Sequence, residues 1–575
     1  MNADMTSNQT GCREIVIRKV QNGLRVLDEL EPSFSDPGKY NTDFLFRLIR
    51  DSKDTEFGRK YHFADIHSVA DFQRTVPLST YDDYTSAIYR MSEKGETGIL
   101  TSYPVNHYNK SSGTMGNPKR IPLSDPGMET ALKYMYDVYS GLEYRFFGDE
   151  WIGRRGLNII ETPKSVQTLP CGATYGSVSA RTLMTMKPIL ESIYTSPLEA
   201  AAPCSGTNTH YLHALYALRD RDVSYIFCSF FSFLLEQLRY IQRNWEELLK
   251  DIAAGTISEL SQLEPDVKQR MESELLPMPE RAEELRRIFE RGFDEPFVPA
   301  VWPDCRFIMG IGTGGFKSYA DKIRQIYTGP DISFLKTGMV ASEGVFSVPF
   351  APDCEDSVLI PSSVFFEFLP LDAGEDFSKI VTIENVEIGQ KYEVIITNLS
   401  GFYRYRIRDA VVVTGRYKNT PTIQFLSRID QTISIMGEKT TENALRSAVE
   451  ETENSLNLDI DDFSVFPDLD AEPVRYVCFL EVADNPDHVT PKEIWKMLER
   501  QLAKANPSMG DKMAAGICGH VRVQFLEPET YRLYQELMLY RGGNAGQIKP
   551  VHIIVNERQR KFFYSMSEYM YEYVK

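Results

Sequence analysis

Three stretches of this 575-residue chain concentrate side chains that can handle charge. The first is SSGTMGNPKR, Ser111 to Arg120. Ser111, Ser112 and Thr114 offer hydroxyl donors, and Lys119 offers a mobile positive charge. Gly113 and Gly116 let the backbone approach a ligand closely, so that successive N–H groups can form an anion-binding concavity. The run does not satisfy the GxxxxGK[ST] spacing of a P-loop. On the residues alone it is either a phosphate cradle or a polar turn. The second stretch is GMVASEGVF, Gly338 to Phe346, where Glu343 stands between Ser342 and Gly344 after a strand-like segment. Such a carboxylate suits Mg²⁺ or a bound water; the plainer reading is a surface acid. The third is GFYRYRIRDAVVV, Gly401 to Val413. In a strand, alternate side chains share a face, so Arg404, Arg406 and Arg408 are expected to line up, as suits a polyanion. Asp409 at the end of that row could accept hydrogen bonds from sugar hydroxyls.

The surrounding periodicity says what positions these runs. Apolar residues at 15, 17, 20, 24 and 27, and again through YNTDFLFRLIR, predict helices up to about residue 60. Helical spacing returns from Met128 to Tyr144, and Asp222 to Ile252 begins as a buried strand or helix and continues as an amphipathic helix. Residues 255 to 295 are helical in pattern, with Pro265, Pro277 and Pro279 as breaks. VFFEFLP (364–370), KYEVIITN (391–398) and DAVVVTG (409–415) predict strands. Beyond Arg428 the pattern becomes strand (475–482), helix (490–506) and strand (521–526), enough for a small α/β domain. The expected fold class is therefore α/β, divided into a large domain 1–428 and a smaller one 429–575 joined by a short hinge.

Length alone argues for more than one domain. Lys plus Arg number 63 against 81 Asp plus Glu, a formal charge of -18 with no basic run, which argues against general nucleic-acid binding. The eight cysteines are scattered without metal-pair spacing, and a disulfide framework is not expected. The eight histidines form no cluster with cysteines or carboxylates, so no transition-metal site is expected; His210 and His213 read as structural. The polar start lacks the apolar core of a secretory leader, and no apolar run approaches the ~18 residues of a membrane span. The expectation is a cytoplasmic protein without membrane or nucleic-acid partners, and a monomer.

In order and wording, the three runs resemble the adenylate-forming superfamily of acyl-activating ligases. SSGTMGNPK is similar to its phosphate loop, ASEG to its magnesium-binding Glu motif, and YRYRIRD to its ribose-binding Asp motif. HYLHALYALRDRDVSYIFCSF, WEELLKDIAAG, VFFEFLP, GQKYEVIITNLSGFYRYRIRD and GQIKP narrow the resemblance to the GH3 family of acyl acid–amido synthetases, from about residue 40 onward. That family joins carboxylic acids, plant hormone acids among them, to amino acids.

The resemblance implies a large adenylate-forming domain, of sheets with a small barrel-like part flanked by helices, and a mobile C-terminal α/β domain. It implies ATP and Mg²⁺ as cofactors, and a carboxylic acid and an amine as substrates. Ser111, Ser112, Gly113, Thr114 and Lys119 would embrace the phosphates. Glu343, beside Ser342, would hold Mg²⁺; Asp409 would grip the ribose; Thr313 and Gly314 would lie near adenine. Arg428 would sit at the hinge, against ribose or phosphate or in a plain salt bridge. Lys549 of GQIKP would reach the α-phosphate. Met128, Leu132, Met135 and Tyr136, with the segment 168–177, fall where the family binds its acid. Acceptors other than an amine, a CoA thiol or a hydroxyl, stay open at this level. Three departures mark a divergent member: Met115 in the phosphate loop, Met339 where a tyrosine commonly lies near adenine, and Arg408 where a glycine commonly precedes the ribose-binding Asp.

Overall fold

The computed structural model describes residues 2–110, 119–160, 166–177, 190, 192–201, 207–429, 432, 433, 435, 438, 440–471, 473–482, 489–514, 518–541, 548, 550–554 and 556–571; the side chains of 2–12, 315, 318, 432 and 568–571 are not part of that description. Two compact units emerge from the contacts within the chain. Among the described residues, one comprises those up to 110, 119–407 and 411–425, and the other comprises 408–410 and those from 426 onward.

The larger unit opens with the helices Asn2–Ser35 and Pro37–Ser52. Its strands are, in chain order, β1 (Val105–Lys110), β2 (Arg120–Ser124), β3 (Gly156–Ile159), β4 (Gln167–Thr168), β5 (Thr174–Gly176), β6 (Tyr225–Phe230), β7 (Phe307–Ile311), β8 (Ser333–Lys336), β9 (Val340–Ala341), β10 (Gly344–Val345), β11 (Ser347–Pro349), β12 (Ser357–Leu359), β13 (Phe365–Pro370), β14 (Val381–Thr382), β15 (Lys391–Thr397) and most of β16 (Tyr405–Tyr417) and β17 (Thr420–Arg428), whose residues 408–410 and 426–428 count with the smaller unit. Strands β3-β6-β7-β8 form a parallel sheet. As parallel sheets require, its strands are apolar on both faces. The helices Thr209–Arg219 and Phe231–Ala254 share its core through Leu212, Leu215, Phe231, Leu234 and Leu238, with Trp302 in the same core. A second sheet, β2-β1-β5-β4, is mixed, with β1 antiparallel to β2 and parallel to β5. The third runs β11-β12-β17-β16-β15-β13-β14. Its β16 is longer than the expected strand 409–415, because the pairing begins at Tyr405.

Two sequence breaks prove to be starts. Pro265 and Pro279 each open a helix, Pro265–Ser273 and Pro279–Phe289, at the first position, where a missing N–H costs nothing. The helical stretch around Met128–Tyr144 runs from Asp125 to Phe147, with a π-helical turn at Lys133–Asp137. It crosses the N-terminal helix at two glycines. A Cβ on Gly23 would stand 2.1 Å from the Asp137 carbonyl oxygen and 2.5 Å from Gly141 N, and one on Gly141 would stand 2.7 Å from Gly23 C. Those are backbone atoms, so neither helix can yield locally. Gly23→Ala is expected to cost about 1–3 kcal/mol through overpacking. Denaturant unfolding that leaves Gly23→Ala as stable as the parent would refute this crossing.

In the smaller unit, β18 (Thr432–Ile433) and β19 (Thr440–Thr441) pair, and β20 (Ile460–Asp468), β21 (Arg475–Val482), β22 (Arg522–Leu526) and β23 (Ser567–Tyr571) form a mixed sheet in chain order. The helices Glu442–Leu456 and Pro491–Ala505 pack on it through Leu445, Val449, Ile494, Trp495 and Leu498. Thr490 and Glu493 close a capping box at the start of the second helix. Among the described residues, no helix is long and apolar enough to cross a membrane.

Candidate active site

Ser111, Ser112, Gly113, Thr114, Met115 and Gly116 lie outside the described residues, as does Lys549. What the structure shows is how the two ends of the first run are held. It connects β1 to β2. On the β1 side, the Asn109 amide Nδ2 donates to the Ser342 carbonyl at 2.7 Å. On the β2 side, Arg120 N donates to the Tyr81 hydroxyl at 2.9 Å, and that hydroxyl donates to the Arg120 carbonyl at 3.3 Å. The Lys119 ammonium lies 5.0 Å from the centre of the Tyr81 ring. Burial raises the pKa of the Tyr81 phenol, so it stays a neutral donor. The Arg120 guanidinium bonds to Ser92 Oγ and Glu93 Oε1 and is thereby committed to structure.

Ser342 and Glu343 form the two-residue turn between β9 and β10, half-buried, with Ala341 opposite Gly344. Both carbonyls are fastened, Ser342 by Asn109 and Glu343 by Asn398 Nδ2 at 3.0 Å. The Glu343 carboxylate is therefore carried on a pinned turn beside the root of the first run. Its Oε1 is 3.5 Å from the hydroxyl of Tyr405, whose ring stacks on Phe402. Asn109 Oδ1, deeply buried, has no hydrogen-bond partner among the described residues. A carboxylate is the kind of oxygen ligand that suits a hard cation such as Mg²⁺.

Thr313 and Gly314 follow β7 at the C-terminal edge of the parallel sheet, and Thr337 to Glu343 follow β8 at the same edge. In open α/β sheets this edge is where ligands bind. Gly314 has φ +58°, and a Cβ there would meet the Phe425 ring at 2.8 Å, so the residue is restricted twice over. Met339 stands just before β9. It is 8% exposed and packs in the core with Tyr108, Phe346 and Phe366.

The expected face of three arginines does not form. Arg404 has φ +47° and Arg408 φ +64°, and these left-handed residues break the alternation. Arg404 is buried against the Glu367 carboxylate at 2.9 Å, and its Nη1 donates to the Gln73 and Val76 carbonyls. Arg406 pairs with Glu393 through two bonds of 2.9 and 2.6 Å. Buried carboxylates from β13 and β15 thus consume the charge of Arg404 and Arg406 that the sequence offered to a polyanion.

In the smaller unit, Asp409 is buried and accepts from Arg428 Nε at 3.1 Å. Ile429 N donates to the Arg408 carbonyl at 2.7 Å, closing the same segment. The positive φ at Arg408 turns the backbone immediately before Asp409. A side chain there is strained where glycine is not, so Arg408→Gly is expected to be more stable than Arg408→Ala by about 1 kcal/mol, both lacking the guanidinium. Equal unfolding midpoints for the two variants would remove the strain argument.

His210 and His213 are structural. His210 Nδ1 lies 3.0 Å from Gln237 Oε1 and His213 Nδ1 lies 2.8 Å from Ser196 Oγ. Burial pushes the pKa of His213 down to about 3, so it is neutral at ordinary pH. Of the expected acid-binding positions, Met128 is buried, Leu132 is exposed, and Leu169 and Ala173 are in the same core as Met339. Asn109, Asn398, Tyr81 and Tyr405 were invisible in the sequence because each acts by reaching a backbone or side chain far away in the chain.

A family model described as the GH3 family N-terminal domain matches residues 26–332, one described as its central domain matches 357–428, and one described as its C-terminal domain matches 443–559. The chain is 27% identical to jasmonoyl–L-amino acid synthetase JAR6 of Nicotiana attenuata, over 91% of this chain and 92% of that protein. It is 27% identical to indole-3-acetic acid-amido synthetase GH3.2 of Arabidopsis thaliana, over 86% of this chain and 90% of that protein. Among solved structures, GH3.15 acyl acid amido synthetase superimposes with a TM-score of 0.84 at 23% identity, covering 96% of this chain and 97% of that one.

Proposed function

The chain belongs to the GH3 family, and on that premise we propose that it is an ATP-dependent acyl acid–amido synthetase that joins a carboxylic acid to an amino acid. In the first half-reaction the acid's carboxylate oxygen attacks the α-phosphorus of ATP, and pyrophosphate leaves. In the second, the amine attacks the acyl carbonyl of the adenylate, an amide bond forms, and AMP leaves with the bonding electrons. The single observation that carries this reading is the pinned Ser342–Glu343 turn, held by Asn109 at the root of the SSGTMGNPKR run.

The assigned roles follow from chemistry that needs charge placement more than covalent help from the protein. Ser111, Ser112, Gly113, Thr114 and Lys119 hold the β- and γ-phosphates. Glu343 would hold the metal ion, with Ser342 shaping the turn that Asn109 pins. A Mg²⁺ ion held there would supply charge neutralisation for the phosphates. Asp409 binds the ribose, oriented by Arg428. Thr313 and Gly314 border the adenine, and Met339 offers it a thioether contact. Lys549 meets the α-phosphate during adenylation. Residues 429–575 then rotate as a mobile domain so that the amine can enter.

The test is product identity. Protein, ATP and Mg²⁺ are incubated with a panel of carboxylic acids and, separately, with amino acids, CoA or alcohols. AMP, pyrophosphate and an amide are expected. ADP in place of AMP would overturn the reading in favour of a kinase, and a product formed only with CoA or an alcohol would overturn the amide.

A further inference from the structure

The smaller unit contains a buried charge cluster that none of these roles uses. His552 is 5% exposed, and both its ring nitrogens meet carboxylates: Nδ1 lies 2.8 Å from Glu442 Oε1 and Nε2 lies 2.9 Å from Asp462 Oδ1. With an acceptor at each nitrogen, the ring satisfies both only as the doubly protonated imidazolium. Its face stacks on Phe463 at 4.5 Å, with 7° between the planes. Glu442 also accepts from Arg446 Nη2 at 2.6 Å, so two cations stand against Glu442 and Asp462. Asp461 adjoins Asp462 in β20, and Glu481 of β21 lies within electrostatic range of both.

The cluster fastens a particular piece of chain. Val465 N donates to the His552 carbonyl at 2.8 Å, Ile554 N donates to the Val465 carbonyl at 2.9 Å, and Ser464 Oγ donates to the Val551 carbonyl. Residues 551–554 are thus laid alongside β20, with Ile553 in a parallel bridge to Val465. His552 follows Lys549 by three residues, and three residues span at most about 11 Å. The backbone bonds set the height of the segment, and the imidazolium, gripping the helix Glu442–Leu456 on one side and β20 on the other, sets its rotation.

We propose that His552 is a positioning residue for Lys549: bridged between Glu442 and Asp462, it fixes the segment from which the lysine is presented during adenylation. The proposal rests on the amido synthetase reading and its assignment of Lys549. Burial works against charging this ring, but the two carboxylates together outweigh it and raise the pKa to about 9. The grip is therefore complete below the ordinary histidine value of about 6.5 and is lost as pH rises through about 9.

The test separates the two half-reactions in the full-length protein. ATP–pyrophosphate exchange with an acid that the parent enzyme accepts reads adenylation. Amide formation from the chemically prepared acyl-adenylate and an amino acid reads the second half. His552→Gln keeps one amide donor and loses the charge. It is expected to lower exchange about 10²-fold, the cost of a misplaced group, and to leave the second half unchanged. Asp462→Asn keeps the ring and removes one carboxylate, and it is expected to move the alkaline limb of exchange to lower pH. Undiminished exchange in folded His552→Gln, or an equal fall in both halves, would overturn the proposal. Should His552→Gln not fold, Asp462→Asn decides: an unmoved alkaline limb overturns it. A parent enzyme that makes no AMP under any condition would refute the amido synthetase reading, an outcome distinct from either of these.

Discussion

Glu343→Gln is expected to lower ATP–pyrophosphate exchange about 10²–10³-fold, the range for removing one group that meets developing charge. The substitution is clean for a structural reason. The turn that carries residue 343 is fastened through backbone oxygens, the Ser342 carbonyl by Asn109 and the Glu343 carbonyl by Asn398. Neither bond involves the carboxylate. Glutamine keeps the volume and one carbonyl oxygen, so the turn, its half-buried setting and its contact with Tyr405 survive. What disappears is the negative charge, and with it the affinity for a divalent cation. The variant should therefore need more Mg²⁺ for half-maximal exchange while its thermal unfolding stays with the parent. Exchange at the parental rate and parental Mg²⁺ dependence would strip Glu343 of its role.

The largest stability effect is expected at Glu367, remote from the chemistry in purpose though adjacent in sequence logic. Glu367 is 0% exposed, and Arg404, its partner, is 6% exposed. The carboxylate receives Arg404 Nε at both oxygens, at 3.1 and 3.0 Å, and Gln73 Nε2 at 2.9 Å. Arg404 in turn supplies the Gln73 and Val76 carbonyls, tying β13 and the start of β16 to the helix Val69–Thr75. Glu367→Gln leaves a guanidinium in the interior without its counter-charge, and breaking a buried pair in this way costs about 3–5 kcal/mol. Replacing both partners with apolar residues should cost less, because no orphaned charge remains. Denaturant unfolding of Glu367→Gln and of an Arg404→Met, Glu367→Leu double variant measures both. A single variant that unfolds with the parent would show that the pair carries no stability.

These two residues show where the sequence was legible. Glu343 could be found because its neighbours repeat a short pattern whose order along the chain, after SSGTMGNPK and before YRYRIRD, is informative. Glu367 could not. VFFEFLP reads as a strand, and a strand it is, but nothing local says that its one acid is buried or that the arginine it needs lies in RYRIR. The same fact misdirected the reading of that run. Three arginines at alternate positions predict one cationic face, yet Arg404 and Arg408 adopt left-handed backbone, and Arg404 and Arg406 turn to buried acids on β13 and β15. Met339 shows another thing the sequence did not say, that its side chain packs with Phe346 and Phe366.

By itself, then, the sequence determined what is written in short-range order: the elements, since hydrophobic period follows from backbone geometry; the α/β class; and the resemblance carried by contiguous motifs around Ser111, Glu343, Asp409 and Lys549. The tertiary structure alone decided which polar groups are brought together and which are consumed by the fold. Asn109 reaches Ser342 across 233 positions and Arg404 reaches Glu367 across 37. Asn109 pins the turn that carries Glu343, whereas Arg404 spends its charge on a buried carboxylate. His552 shows the same for the charge itself, because an imidazole becomes a lasting cation only where folding sets Glu442 at one nitrogen and Asp462 at the other. The physical reason is common to all three. Hydrogen bonds and ion pairs act over a few ångströms, and only folding decides which residues come that close.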